Sequence, residues 1–119
     1  MTLVDTSVWI DHLRNGNSEL QALLEKEEVL AHPFIVGELA CGSLKNRTEI
    51  LRLLQELPEA RLAEHHEVIG LINSRRLWGQ GIGWTDAHLL ASALLSRCRI
   101  WTLDKQLRAV ASKLRLEKS

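Results

Sequence analysis

The sequence is poor in several features that decide what a small protein can be. Its 119 residues hold only two cysteines, Cys41 and Cys98, far apart and each beside apolar residues. That spacing gives no zinc site or redox pair and reads as two buried free thiols in a reducing compartment. No apolar run approaches the roughly 20 residues that span a bilayer. Met1 leads almost at once into a strand-like stretch, with no room for a signal peptide. The expected location is the cytosol, with no membrane contact. Net charge is missing as well, since 15 basic residues balance 15 acidic ones. A nucleic-acid partner would therefore have to be met by local charge. A nucleotide-binding phosphate loop is also absent, because Gly79-Gln80-Gly81-Ile82-Gly83 lacks the lysine and strand context of such motifs.

What remains is an ordinary globular composition, 45% hydrophobic and 25% charged, at a length that suits one domain over residues 1–119. There is no repeat, linker or low-complexity segment. Thr2 to Val4 predict a strand, and Val8, Trp9, Ile10 and Leu13 a helix after it. Beyond the Asn15-Gly16-Asn17 turn, Leu20, Leu23 and Leu24 mark a second helix. Val29 to Ala31 predict a short strand, and Pro33 opens a helix that Gly42 stops. From Arg47 an amphipathic helix runs to Leu57 and is closed by Pro58. Ala60 to Ala63 predict a short strand, and His65 to Trp78 carry apolar positions up to the glycine loop at 79–83. Ala87 to Leu95 form the most apolar helix, Arg99 to Leu103 a strand, Lys105 to Lys113 a last helix, and Leu114 to Leu116 a weak strand. Short strands alternating with helices predict an α/β fold, a central parallel sheet with helices on both faces.

In such sheets ligands bind beyond the carboxyl ends of the strands. Asp5 follows the first strand, Asp104 the strand at Arg99 to Leu103, and Asp86 lies in the first turn of its helix. Each aspartate taken singly reads equally well as a helix cap. Glu38 differs, because it stands in the otherwise uncharged helix Phe34-Ile35-Val36-Gly37-Glu38-Leu39-Ala40-Cys41, where an ionised side chain needs partners. The topology directs all four carboxyl groups to one edge. Clustered anions repel and raise one another's pKa, so a cation is expected among them. Oxygen-only ligation selects Mg²⁺ or Mn²⁺ over zinc. That chemistry suits phosphate-ester hydrolysis by activated water.

The segments Val4-Asp5-Thr6-Ser7-Val8-Trp9-Ile10, Gly37-Glu38-Leu39, Thr85-Asp86-Ala87-His88-Leu89-Leu90-Ala91 and Trp101-Thr102-Leu103-Asp104 resemble PIN-domain nucleases, and most of all the VapC-type toxins of bacterial toxin–antitoxin pairs. The resemblance covers nearly the whole chain. It implies a PIN-like three-layer α/β/α fold with a short-stranded central parallel sheet, and a Mg²⁺-dependent endoribonuclease. Asp5 and Asp86 take the positions of the usual metal ligands, with Glu38 and Asp104 completing the catalytic set. Thr6, Ser7 and Thr102 take the positions of supporting hydroxyls. Many relatives have a further acidic residue shortly after the fourth carboxylate, where this chain has Lys105-Gln106. The resemblance further implies an RNA substrate, a cognate antitoxin that blocks the acidic pocket, and a homodimer.

Other residues leave alternatives open. Arg75, Arg76, Arg97, Arg99, Lys105 and Arg108 read either as an RNA track or as solvated helix faces. Trp9 and Trp101 are expected in the core or a dimer interface, while Trp78 and Trp84 stay undecided between burial and stacking on bases. The histidines His12, His32, His65, His66 and His88 lack metal-ligand spacing and are expected at surface or supporting positions. A non-catalytic module of the same fold, and a metal-dependent phosphatase or DNA nuclease, are the rival readings.

Overall fold

The computed structural model describes residues 1–118. Three parallel strands, β1 (Thr2–Val4), β2 (Val29–Leu30) and β3 (Arg99–Trp101), lie in the order β2-β1-β3. Thr2 pairs with both Val29 and Arg99, and Val4 with Trp101. Single parallel bridges widen the sheet on both sides, Ala31 to Glu59 and Ile100 to Glu117. These bridges are all that forms of the two extra strands expected at Ala60 to Ala63 and Leu114 to Leu116. Neither segment offers a run of paired residues long enough to add a ladder.

Seven helices cover the sheet among the described residues: α1 (Thr6–Asn15), α2 (Ser18–Glu25), α3 (Pro33–Ala40), α4 (Arg47–Glu56), α5 (His65–Arg75), α6 (Trp84–Ser96) and α7 (Lys105–Lys113). The result is the expected three-layer α/β/α arrangement. Their ends follow from local chemistry. Asp5 and Asp104 cap α1 and α7, and Asn17 caps α2 by accepting from the Leu20 N–H at 2.9 Å. Gly16, at φ +74°, ends α1 in a left-handed turn that any side chain would strain. Pro33 occupies the first turn of α3, where its missing N–H leaves no helical bond unmade.

The core lies between sheet and helices. Leu3 and Val4 of β1, Ile100 of β3, Leu89 and Leu90 of α6, and Leu107 of α7 are all fully enclosed. Because β1 is buried on both faces, its apolar residues run without alternation, as parallel central strands require. The expectation of two buried thiols holds for Cys98 only. Cys41 is exposed just past the end of α3, and both are free thiols.

Candidate active site

The carboxyl edge of the sheet gathers the predicted residues. Asp5 leaves β1 and starts α1, and its backbone N–H donates to the Trp101 carbonyl at 2.9 Å, which locks the β1 and β3 ends together. Its side chain is only 7% exposed. Oδ2 accepts from Ser7 Oγ and Thr102 Oγ1, each at 2.8 Å, and more weakly from the Ser7 N–H at 3.4 Å. Each hydroxyl has one proton and directs it at Asp5. Each in turn accepts a backbone N–H at 3.0 Å, Leu103 to Ser7 Oγ and Asp104 to Thr102 Oγ1. Ser7 and Thr102 therefore act as oriented struts that neutralise one carboxylate oxygen and tie the β3–α7 loop to α1.

The other acids arrive from three more elements. Glu38, on the second turn of α3, is exposed rather than enclosed, and Thr6 Oγ1 donates to its Oε1 at 2.7 Å. Asp86, in the first turn of α6, accepts the Gly83 N–H on Oδ2 at 3.1 Å. Asp104 accepts the Leu107 N–H on Oδ2 at 2.8 Å. Each of the three aspartates thus binds the fold through Oδ2, and no hydrogen bond among the described residues reaches Oδ1. The structural bonds therefore use one oxygen of each group and leave the other unengaged among the described residues.

The acids share one electrostatic field. Partial burial pushes the Asp86 carboxyl above its ordinary value, the Gly83 N–H pulls it back, and the charges of Asp5, Asp104 and Glu38 push it up further. Among the described residues no three His, Cys, Asp or Glu side chains close into a ready cage. The donor set still fits Mg²⁺, which keeps several waters and takes one or two carboxylates. Zinc favours nitrogen and sulfur ligands over a set made only of carboxylates.

The basic residues divide. Lys105 and Arg108 lie on α7 beside Asp104, with Arg108 Nη2 3.4 Å from the Thr102 carbonyl. Arg97 and Arg99 instead stand with Met1 and Arg115 around a depression at the amino ends of the strands, away from the carboxylates. Arg99 donates to the Arg115 carbonyl at 3.1 Å. Arg75 and Arg76 are exposed at the end of α5.

A feature without counterpart in the sequence reading borders the site. His32 and His88 are buried, contrary to a surface position. His32 caps α3 by accepting the Phe34 N–H on Nδ1 at 3.0 Å, and its Nε2 lies 3.1 Å from Ser92 Oγ. From there rings follow in contact: His32 to Phe34 at 5.2 Å, Phe34 to His88 at 4.7 Å, His88 to Trp84 at 4.7 Å, and Trp84 to His65 at 5.0 Å. The spacings Phe34–Glu38 and Trp84–His88, four residues apart on one helix face, were the available signal. Of the remaining tryptophans, Trp9 is in the core as expected, Trp101 is half-buried under Lys118 at 4.8 Å, and Trp78 is exposed.

A family model described as the PIN domain matches residues 2–113. Ribonuclease VapC32 of Mycobacterium tuberculosis, from strain CDC 1551 / Oshkosh, is 47% identical over 114 residues, covering 95% of this chain and 92% of the relative. Its counterpart in strain H37Rv matches to the same extent.

Proposed function

The chain belongs to the PIN-domain family, among its VapC-type ribonucleases, and from that premise we propose that it is a Mg²⁺-dependent endoribonuclease, the toxin of a toxin–antitoxin pair. The observation that carries this reading is the gathering of Asp5, Glu38, Asp86 and Asp104 from α1, α3, α6 and α7 at the carboxyl edge of the sheet, where burial first and then the charges of the other three acids raise the Asp86 carboxyl. Four acids brought this close without a cation repel one another.

Asp5 and Asp86 are the residues that would hold the ion through their free Oδ1 atoms, with Glu38 and Asp104 alongside. When bound, Mg²⁺ or Mn²⁺ supplies neutralisation of the phosphodiester and a lowered pKa for water. The chain's own residues do the rest. Ser7 and Thr102 fix Asp5 in one orientation. Thr6 holds Glu38 by Oε1, and the exposed carboxylate would orient the attacking water. Lys105 and Arg108 offer phosphate contacts next to Asp104.

For the antitoxin, two surfaces support the expectation. The acidic edge suits an inserted basic side chain. An apolar groove lined by Trp9, Leu13, Leu24, Ile50, Leu54 and Leu57 suits a helix. There the Trp9 indole N–H is buried without a partner among the described residues. Among the described residues no helix is long and apolar enough to cross a membrane.

Cleavage of RNA, DNA and a small phosphate ester, each with Mg²⁺ and with chelator, tests the reading. RNA alone should be cut, and only with the metal. Asp5→Asn should lower cleavage at least about 100-fold, the scale of losing one well-placed electrostatic group, while circular dichroism stays native. Undiminished cleavage by a folded Asp5→Asn chain would refute the carboxylate mechanism.

A further inference from the structure

The carboxylate edge is flanked by aromatic surface that its chemistry does not use. Phe34 on α3 is 38% exposed and Trp84 on α6 is 40% exposed. Both rings rest on buried His88 at 4.7 Å, so their centroids stand no farther apart than twice that distance. His88 meets Trp84 at 83°, an edge contact, and His32 meets Phe34 at 69°. Imidazoles thus brace the two rings from within, and His32 is itself fixed by the Phe34 N–H and Ser92. Each exposed ring stands on a helix that also carries an acid of the site. Phe34 lies one helical turn before Glu38 on the same face of α3, and Trp84 opens α6, whose first turn holds Asp86.

We propose that Trp84 and Phe34 form a stacking platform for an unpaired base next to the scissile phosphodiester. The proposal rests on the ribonuclease reading above. Unstacked bases offer their π-faces to aromatic side chains, whereas paired bases keep those faces inside the helix. The platform is carried by α3 and α6, the helices that also hold Glu38 and Asp86, and it is pre-positioned by His32 and His88, so little ordering is needed on binding. A second copy of the chain is a poorer occupant. A symmetric interface centred on this patch would bring two acidic edges together, and like charges so placed oppose association.

The test uses the whole chain with Mg²⁺ and a short single-stranded RNA that the wild type cleaves, the same RNA annealed to its complement, and versions with one abasic nucleotide at successive positions around the cut. Trp84→Leu should raise KM on the intact single strand roughly 5- to 150-fold, the range for losing one stacked base, with a much smaller change in kcat. Trp84→Phe should fall between it and wild type. One abasic position should weaken wild type by a similar factor and leave Trp84→Leu unaffected, because the two changes remove the same contact. An unchanged KM for Trp84→Leu overturns the proposal. So does a penalty that is equal at every abasic position, or equal rates on single strand and duplex. Sedimentation showing that Trp84→Leu turns a dimer into a monomer, with activity lost in step, assigns the patch to a second copy instead. If Trp84→Leu does not fold, the abasic scan on wild type and Trp84→Phe decides alone, and no sensitive position means no platform. A folded wild type that cleaves no RNA with either metal sinks the ribonuclease reading itself, and this proposal with it.

Discussion

Mild acid should loosen the protein through His32, and the amount follows from its surroundings. The ring is 1% exposed, and because Nδ1 accepts the Phe34 N–H, its single proton sits on Nε2 and is donated to Ser92. A second proton would both end the cap of α3 and bury a charge. Burial first, and His88 second, lower the His32 pKa from 6.5 to about 4. The unfolded chain therefore takes up this proton before the folded one does. The stabilisation is complete above pH 6.5 and is lost as the pH falls toward 4, with the sign that proton linkage gives to a depressed base. At about 1.4 kcal/mol for each pKa unit, the step from pH 7 to pH 5 removes about 2 kcal/mol. With a urea dependence of roughly 2 kcal/mol per molar, the unfolding midpoint should fall by roughly 1 M between those pH values. His32→Asn supplies the control, since asparagine is a good cap but does not titrate. It should be less stable at pH 7 and show a distinctly flatter profile. Contributions from Asp86 and His88 are common to both proteins and largely cancel in the difference. Parallel urea midpoints for the two proteins from pH 7 to pH 5 would show that His32 is not the group responsible.

Further outcomes follow from the site. Asp86→Asn should abolish cleavage and yet raise the melting temperature of the metal-free protein, because it removes a carboxyl that burial and three neighbouring acids keep above its ordinary value; a lowered melting temperature contradicts this. The sign for wild type matches, since a raised acid pKa means that its part of the stability declines as pH rises through the window between the ordinary and the raised value. Thr102→Val takes one donor from Asp5 and the acceptor from the Asp104 N–H, and should destabilise the fold by about 1–3 kcal/mol in chemical denaturation. Gly81→Ala places a Cβ 2.8 Å from Gln106 Cγ at φ +80°, and should destabilise by about 1–3 kcal/mol. Adding Gln106→Ala should recover only the part due to the clash, as a double-mutant cycle in urea would measure.

Much of this organisation was legible in residue order. Thr2-Leu3-Val4-Asp5 reads as strand then cap because both signals are local, and Arg99 to Asp104 repeats the pattern. Once both strands are parallel, their carboxyl ends share an edge, which is why the acids could be grouped in advance. Glu38 was expected to need partners inside an apolar helix, and the structure gives it one, Thr6, while leaving the side chain exposed. What could not be read depends on contacts between distant segments. The ring series from His32 to His65 joins α3, α5 and α6. The residue before Pro33 is a natural cap position, yet imidazole is an uncommon cap, and for His32 the surface and supporting readings could not be separated. The packing of Gly81 on Gln106 equally requires knowing that the glycine loop lies against α7. Ala60 to Ala63 has strand-like composition, but its only bond to the sheet among the described residues is the Ala60 N–H to the Ala31 carbonyl at 2.9 Å, which closes the single bridge at Glu59.

The division of labour between the two oxygens of Asp5, Asp86 and Asp104 has a genetic consequence. An amide retains one carbonyl acceptor, so asparagine at any of these positions keeps the bond that the architecture uses while withdrawing the negative charge. A single base change in an aspartate codon therefore suffices to yield a folded, silent copy that still presents every other surface of the protein. For a gene whose product is harmful to its own cell, such copies escape selection as surely as truncated or unfolded forms do, while keeping the fold.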